Sequence, residues 1–280
     1  MASLQIQLLK VEFIFYFTLS DIICILLKIS CMAAQPWRTG TVIDIVDETY
    51  NTKRYFIRVD ELENFDFKAG QFVTLDLPIH EQVNKRWRSY SIASWPDGSN
   101  VYELLIVLLE GGLGTTYLFN EVTIGSQLTF RGAQGVFVLP QVIEKDLFFI
   151  CTGTGIAPFR SMLNSIKLHS LPHQKLYLIY GCREQKDLLY FEEMKQLEKE
   201  LENFHFMPTL SREKWDGSSG YVHDLYESIC KKNNAACETL ENLQPASFYL
   251  CGWKFMIDDA RKKIGELGYD RKCVHFELYG

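Results

Sequence analysis

The hydrophobic pattern of this chain changes once, near residues 140–146, and that change constrains the fold more than any other feature. Before it, short alternating or β-branched runs such as residues 41–46 and 71–77 are separated by turn residues. After it, apolar runs such as residues 147–151 and 176–180 alternate with segments of helical period. The first pattern is typical of an antiparallel barrel and the second of a parallel sheet with crossover helices. We therefore predict an all-β domain over residues 37–143 and an α/β domain over residues 144–280.

Composition narrows the class of protein further. Hydrophobic residues make up 47% of the 280 residues, which excludes wholesale disorder. The 29 basic and 35 acidic residues give a net charge of −6, so we expect no nucleic-acid partner. The eight cysteines include no C-x-x-C pair, so no metal site is predicted. Reduced thiols favour a cytoplasmic location, and we expect a monomer.

Residues 1–36 form a separate, hydrophobic N-terminal extension. Thirteen of the 17 residues from Phe13 to Ile29 are apolar, but Asp21 interrupts the run, and a membrane span needs about 20 apolar residues. Three interpretations stay open: translation starts at Met32, residues 11–29 associate with a membrane, or the segment is a targeting signal. Membrane association is expected only if the stretch belongs to the working protein.

A glycine turn follows the first apolar run of the second half. Residues 147–151 lead directly into Gly153, Thr154, Gly155 and Pro158, and a helical segment comes next. Such a turn lets backbone N–H groups approach a pyrophosphate at a helix N-terminus, where Pro158 is tolerated. A purely structural tight turn is the alternative.

Polar residues also end the later strands of this half. Ser211 and Arg212 follow residues 205–210, and Arg183 follows the run that ends at Tyr180. Strand carboxyl ends bind ligands in α/β sheets, and a hydroxyl beside a guanidinium suits the 2′-phosphate of NADPH. Solvated loop arginines are the alternative. Cys251 and Gly252 end a further strand, where the thiol would face the same crevice or would simply be buried.

The first half carries a second candidate anion site. Arg88, Tyr90 and Ser91 lie on a predicted strand. Another strand leads into a short helical stretch whose start carries small and hydroxyl residues, namely Gly112, Gly114, Thr115 and Thr116. One phosphate-binding signal in each half predicts two nucleotide-like ligands that meet between the domains.

Taken in order, these motifs over residues 37–280 resemble the ferredoxin–NADP reductase superfamily. The resemblance implies an antiparallel FAD-binding β-barrel followed by a Rossmann-like parallel-sheet NAD(P)-binding domain. It also implies that the Gly112 to Thr116 stretch and the Gly153 to Pro158 turn hold the flavin phosphate and the nicotinamide dinucleotide, respectively. Gly111 and Gly112 look more like the oxygenase-reductase relatives than the plastid reductases.

The same resemblance assigns roles around the flavin. Arg88 would hold the flavin phosphate, Tyr90 would pack on the flavin, and Ser91 would hydrogen-bond to its N5 atom. Glu277 and Tyr279 look like the carboxyl-terminal acid and aromatic of the family, although Gly280 follows the aromatic here. Ser91, Cys251, Glu277 and Tyr279 would together position the nicotinamide, and no residue needs to act as an acid or a base.

The implied function is hydride transfer from NADPH, with NADH as a second candidate, to FAD and then electron transfer to a protein such as ferredoxin or flavodoxin. A reductase component serving an oxygenase or a haem protein is one alternative, and a non-catalytic flavin- or nucleotide-binding redox sensor is another. An acidic acceptor would need a basic rim, for which scattered solubilising charges are the alternative. The candidate cations are Arg54, Arg58, Lys68, Lys85 and Arg86.

Overall fold

Six antiparallel strands form the first sheet of the computed structural model, which describes residues 35–235 and 242–279. The strands are β1 (Trp37–Thr49), β2 (Thr52–Arg58), β3 (Phe72–Asp76), β4 (Trp87–Ser91), β5 (Val101–Val107) and β6 (Gln127–Gln134). Their spatial order is β4-β3-β6-β1-β2-β5, so β4 and β5 are the two edges. A bridge between Ile92 and Leu104 brings these edges together, which rolls the sheet towards a barrel.

Aromatic side chains fill the interior of this barrel. Phe65, Tyr102 and Phe130 are buried, and their ring centroids lie 5.1–5.7 Å apart. Aromatic pairs at this spacing contribute about 0.5–1.5 kcal/mol beyond the burial of their surface. Helix α1 (Leu113–Asn120) follows β5, and its Leu118 belongs to the same core. The barrel therefore has a hydrophobic core of its own.

Six parallel strands form the second sheet, in the order β10-β9-β8-β7-β11-β12. They are β7 (Asp146–Thr152), β8 (Leu176–Cys182), β9 (Phe204–Leu210), β10 (Ser218–Ser219), β11 (Ala246–Gly252) and β12 (Val274–Leu278). The helices between them are α2 (Ala157–Leu168), α3 (Phe191–Glu200), α4 (Val222–Asn233) and α5 (Lys254–Glu266). This arrangement confirms the predicted fold class, an antiparallel sheet followed by a parallel sheet with helices.

The parallel sheet is covered on both faces. The apolar sides of α2 and α3 pack in one core cluster, and those of α4 and α5 pack in another. The middle strands are therefore buried on both sides, and six of the seven residues of β7 are fully buried. All five parallel pairings run in the same direction, so the carboxyl ends of the strands meet at one edge. Ligands of open α/β sheets bind at such an edge.

The N-terminal extension predicted over residues 1–36 lies outside the described residues except for residues 35 and 36, and Cys237 lies outside them as well. Within residues 35–235 and 242–279, no helix combines the length and the apolar character needed to cross a membrane.

Candidate active site

The four residues predicted to position the nicotinamide meet where the two sheets contact each other. Ser91, at the end of β4, donates a hydrogen bond from its Oγ to Oε2 of Glu277 in β12 at 2.8 Å. Cys251 of β11 is the direct neighbour of Glu277 in the parallel register. The backbone N–H of Tyr279 donates to the Gly252 carbonyl at 2.9 Å. Ser91 and Glu277, which are 186 positions apart, are therefore brought into one cluster.

Burial sets the charge state of this cluster. It raises the pKa of the Cys251 thiol well above its ordinary value, and the nearby Glu277 carboxylate raises it further. Burial also raises the pKa of Glu277, and the hydrogen bond from Ser91 opposes that shift. Cys251 is therefore a neutral thiol rather than a thiolate nucleophile. Its small polarizable side chain is fully buried in the core cluster rather than exposed at the surface.

Two histidines of the second half, His223 and His275, have side-chain contacts with tyrosines. Nδ1 of His223 forms a hydrogen bond with the Tyr226 hydroxyl at 2.9 Å. The ring of His275 stacks on Tyr249 with 4.6 Å between centroids.

The predicted glycine turn lies at the carboxyl end of β7, where Gly153, Thr154 and Gly155 form a short 3₁₀ turn ahead of α2. Gly153 has a φ of +53°, and a side chain there would meet open space, so this backbone is free to face a ligand. The first turn of α2 contains Pro158, has no acidic residue and has no side-chain cap. A helix start of this kind favours an anion such as a pyrophosphate.

Two further features concern the close packing of the turn and an unpaired polar group beside it. A Cβ atom on Gly155 would lie 2.9 Å from the carbonyl carbon of Cys251, so only glycine lets the turn pack this closely on β11. The Thr152 hydroxyl is buried without a hydrogen-bond partner, and a Cβ on Gly252 would lie 2.7 Å from it. An orphaned hydroxyl at the mouth of the turn is a donor that a bound ligand would satisfy.

The residues predicted for the 2′-phosphate come together at the ends of β8 and β9. The Arg212 N–H donates to the Arg183 carbonyl at 2.9 Å, and Ser211 Oγ donates to the Cys182 carbonyl at 3.3 Å. Arg212 lines a cavity of about 630 Å³. The other residues lining this cavity are Glu184, Gln185, Lys186 and Glu213. The cavity therefore offers cations to a phosphate, but two carboxylates share it.

Arg88 lies against the start of α1, as expected for a flavin phosphate site. Its Nη1 donates to the carbonyls of Lys85 and Trp87 at 3.0 and 2.8 Å. A Cβ on Gly114 would come within 2.9 Å of Arg88 Cγ, so a glycine is needed for the side chain to cross the helix here. The first turn of α1 carries no acid and no side-chain cap. A cation beside a free helix N-terminus suits a phosphate.

The remaining predicted flavin residues differ in how they are used. The Thr115 hydroxyl donates to the Gly112 carbonyl and accepts from the Leu109 N–H, both at 3.1 Å, so it braces the loop. Thr116 is exposed and lines a cavity of about 330 Å³ beside α1. Tyr90 packs against the barrel core, and burial raises the pKa of its hydroxyl to about 12. The structure thus places hydroxyl groups and the Arg88 guanidinium stem at one helix start, which suits a phosphate, and Tyr90 against the barrel core.

Sequence reasoning missed a buried charged network that joins the two sheets. Arg160 of α2, Glu103 of β5 and Tyr190, which precedes α3, are each almost fully buried and are hydrogen-bonded together. Their separations of 57 and 87 residues left no local signal. Thr152 was also missed, although a hydroxyl residue directly before a glycine turn is a recognisable pattern.

Comparison with known proteins gives matches in both halves. Residues 39–139 match a family model described as an oxidoreductase FAD-binding domain, and residues 149–262 match one described as an oxidoreductase NAD-binding domain. The chain is 35% identical over 224 residues to ferredoxin–NADP reductase B of Sorangium cellulosum, covering 77% of this chain and 86% of that protein. It is 30% identical over 248 residues to the phenol hydroxylase P5 protein of Acinetobacter pittii, covering 86% of this chain and 65% of that one.

A solved structure shows the same arrangement of domains. The ferredoxin NADP⁺ reductase from Neisseria gonorrhoeae, with bound FAD and NADP, superposes with a TM-score of 0.71 at 25% identity. The superposition covers 86% of this chain and 98% of that one.

Proposed function

Because this chain belongs to the ferredoxin–NADP reductase superfamily, we propose that the cleft holding Ser91, Cys251, Glu277 and Tyr279 is where the nicotinamide dinucleotide meets FAD. The chain is an FAD-dependent NAD(P)H oxidoreductase that passes electrons to a protein acceptor. The observation that carries the location of the site is the 2.8 Å hydrogen bond from Ser91 to Glu277, which joins the antiparallel to the parallel sheet.

Residues 37–143 form the flavin unit in this proposal. Bound FAD supplies a group that accepts a hydride and releases electrons one at a time. Arg88 and the N-terminus of α1 would hold its phosphate, with Gly114 leaving room for the arginine. Tyr90 would pack against the flavin, and the Ser91 hydroxyl would be its hydrogen-bonding neighbour. No sensor role is favoured, because both matched family models describe oxidoreductase domains.

Residues 144–280 form the nicotinamide unit. The Gly153 to Pro158 turn would bind the pyrophosphate through backbone N–H groups. Cys251 and Gly252 would lie beside the nicotinamide, because they end the strand that neighbours this turn. The Ser91 to Glu277 bond holds both polar side chains in place. Tyr279 packs against the hydrophobic core cluster that contains Cys251 and would exclude water there. These residues orient the two ligands, and none of them exchanges a proton in the transfer.

NADPH is the proposed reductant. Arg183, Ser211 and Arg212 meet at the ends of β8 and β9, and a guanidinium there would bind the 2′-phosphate that NADH lacks. Lys186 adds a cation to the same cavity, although its Nζ pairs with Glu184 at 2.6 Å.

Ferredoxin or flavodoxin is the proposed acceptor, supported by the match over 86% of a ferredoxin–NADP reductase. An oxygenase component is the second candidate, because this chain also matches 65% of a phenol hydroxylase protein. Of the candidate rim cations, Arg54, Arg58 and Arg86 each form an ion pair inside the first domain. These ion pairs largely neutralise the three arginine charges. Lys68 and Lys85 are the two candidate rim cations that take no part in these pairs.

The experiment compares acceptors under matched conditions. FAD-loaded protein is given NADPH and equal concentrations of ferredoxin, flavodoxin or a haem protein at several salt concentrations. The proposal expects fastest turnover with ferredoxin or flavodoxin, declining as salt screens the charged encounter. Fastest turnover with the haem protein, or none with any protein although ferricyanide is reduced, would contradict the proposed acceptor.

A further inference from the structure

Arg160 is a buried cation directly behind the dinucleotide-binding turn. It lies two residues after Pro158 in α2, and its side chain is 4% exposed. Its Nη1 donates to Oε2 of Glu103 at 2.8 Å and to the Ala93 carbonyl at 2.9 Å, both in the first domain. Its Nε donates to Oε1 of Glu193 at 2.7 Å. One guanidinium thus fixes the turn-bearing helix to the barrel through several directed contacts.

Glu103 is the acceptor on the barrel side, and its carboxylate is fully engaged. Besides Arg160, it accepts from Arg54 Nε at 2.6 Å and from the Tyr190 hydroxyl at 2.6 Å. Burial alone would raise the pKa of Glu103, but Arg160 and Arg54 outweigh it and leave that pKa below its ordinary value. The guanidinium of Arg160 lies 4.4 Å from the centre of the Tyr190 ring. The pair is therefore charged, buried and held from several directions.

The barrel end of this network lies next to the cleft. Ala93, whose carbonyl accepts from Arg160, is two residues after Ser91, and its N–H donates to the Glu103 carbonyl at 2.8 Å. The other end of the network lies on the helix that begins at the Gly153 to Pro158 turn. Arg160 lies two residues after Pro158 along the chain, and the Ala93 carbonyl that it contacts lies two residues after Ser91. Arg160 is therefore connected to both segments that would hold the reacting ligands.

The energetics of buried ion pairs indicate that this network fixes the relative position of the groups it joins rather than adding to the stability of the fold. A buried ion pair contributes little net stability compared with apolar side chains of similar size, because desolvation offsets its attraction. Its directed hydrogen bonds nevertheless define a single arrangement of the groups they join. An apolar side chain in place of Arg160 would remove its two directed bonds to the barrel and leave only the other contacts between the sheets, such as the bond from Ser91 to Glu277.

We propose that Arg160 is a positioning residue for hydride transfer, which sets the separation between the Gly153 to Pro158 turn and the Ser91 end of β4 through Glu103 and the Ala93 carbonyl. This inference rests on the proposed function. A misplacement of about 1 Å costs on the order of 10²-fold in rate, so loss of the link slows reduction of the flavin. Binding of either cofactor changes far less, because Arg160 is buried behind the turn.

The test uses Arg160→Met, which keeps an unbranched, flexible side chain and removes the charged guanidinium, and Arg54→Met as the matched control. Arg54 donates to the same carboxylate from within the first domain. Its loss removes an ion pair of Glu103 and a ring contact with Tyr190, but it leaves the hydrogen bonds from Arg160 to Glu103 and to the Ala93 carbonyl in place. FAD-loaded variants are mixed anaerobically with saturating NADPH, and bleaching of the flavin is followed in a single turnover. Reoxidation of dithionite-reduced protein by ferricyanide is measured in parallel.

We expect Arg160→Met to slow bleaching by about 10²-fold with the KM for NADPH and the reoxidation rate within about threefold of wild type. Arg54→Met stays within about threefold in all three quantities, although it unfolds at lower urea. In ligand-free Arg160→Met, hydrogen exchange should accelerate both in residues 89–94 and in residues 153–160. In the Arg54→Met control, the two segments should not accelerate together.

If Arg160→Met does not fold, Arg160→Lys serves, because one ammonium cannot replace the three directed bonds; bleaching at least about tenfold slower is expected. Wild-type bleaching rates in both Arg160 variants, or equal slowing in Arg54→Met, would overturn the inference. If the wild-type protein itself does not bleach with NADPH, the proposed function has failed instead. The hydrogen-exchange result is independent of that failure, since it needs no cofactor.

Discussion

Replacing Gly155 with alanine tests how closely the dinucleotide turn must pack on β11. A Cβ at this position would lie 2.9 Å from the carbonyl carbon of Cys251 and closer still to its oxygen, whereas ordinary contact begins near 3.4 Å. The obstacle is backbone, which cannot rotate away as a side chain can. The turn must therefore move from Cys251 by at least about 0.5 Å, the difference between these two separations.

The size of the effect follows from this shift. Forcing an extra methyl group into a packed site costs about 1–3 kcal/mol of folding free energy. Half of the ~1 Å misplacement that costs about 10²-fold corresponds to a rate loss of about tenfold. Gly155→Ala should therefore lower the free energy of unfolding by about 1–3 kcal/mol and slow NADPH-dependent bleaching of FAD by about tenfold or more.

Urea unfolding and anaerobic stopped-flow absorbance measure these two quantities. Gly265→Ala is the control, because Gly265 lies in α5 and a Cβ there meets no atom within 4 Å. That substitution should stabilise the helix by up to about 1 kcal/mol and leave the bleaching rate unchanged. A Gly155→Ala protein with wild-type stability and a wild-type rate would refute the argument that this contact sets the position of the turn.

Three other substitutions test separate parts of the site. Arg88→Ala removes a charge-assisted phosphate contact of about 1.5–3 kcal/mol, so FAD affinity should fall about 10- to 100-fold; purified protein that keeps its full flavin spectrum would exclude that contact. Arg212→Ala should raise the KM for NADPH about tenfold or more with little effect on NADH, and equal losses would show that Arg212 does not bind the 2′-phosphate. Burial raises the pKa of Glu277 in the folded protein. Its neutral form therefore contributes stability below the ordinary pKa of 4.5, and this stability is lost as the pH rises through the raised pKa. Glu277→Gln should therefore raise the Tm at pH 8 and change it little below pH 4; a gain that instead grew towards acid would contradict this sign.

Local chemistry explains which parts of the fold and site were predictable. Gly153, Gly155 and Pro158 form a contiguous strand–turn–helix pattern, and parallel strands bring their carboxyl ends to one edge, so this part of the cleft follows from the sequence. The two sheets and their order were likewise readable from the change in hydrophobic period, which confirms the predicted fold class.

Contacts between the domains were beyond the same reasoning. Ser91 and Glu277 are 186 residues apart, and only the family resemblance associated them before the structure showed the bond. Arg160 lies in a helix of ordinary composition, where an arginine is expected to face solvent. Its burial depends on Glu103 of the other domain and on Tyr190, both of which are distant along the chain, so no local sequence pattern predicts it.

Anaerobic titration of the FAD-loaded protein with NADPH shows whether the barrel and the parallel sheet together form one site for hydride transfer. We expect the visible absorbance of the flavin to bleach in proportion to added NADPH, and the bleaching to be complete when the two are present in equal molar amounts. Flavin that is bound but keeps its oxidised spectrum with excess NADPH and with excess NADH would contradict it.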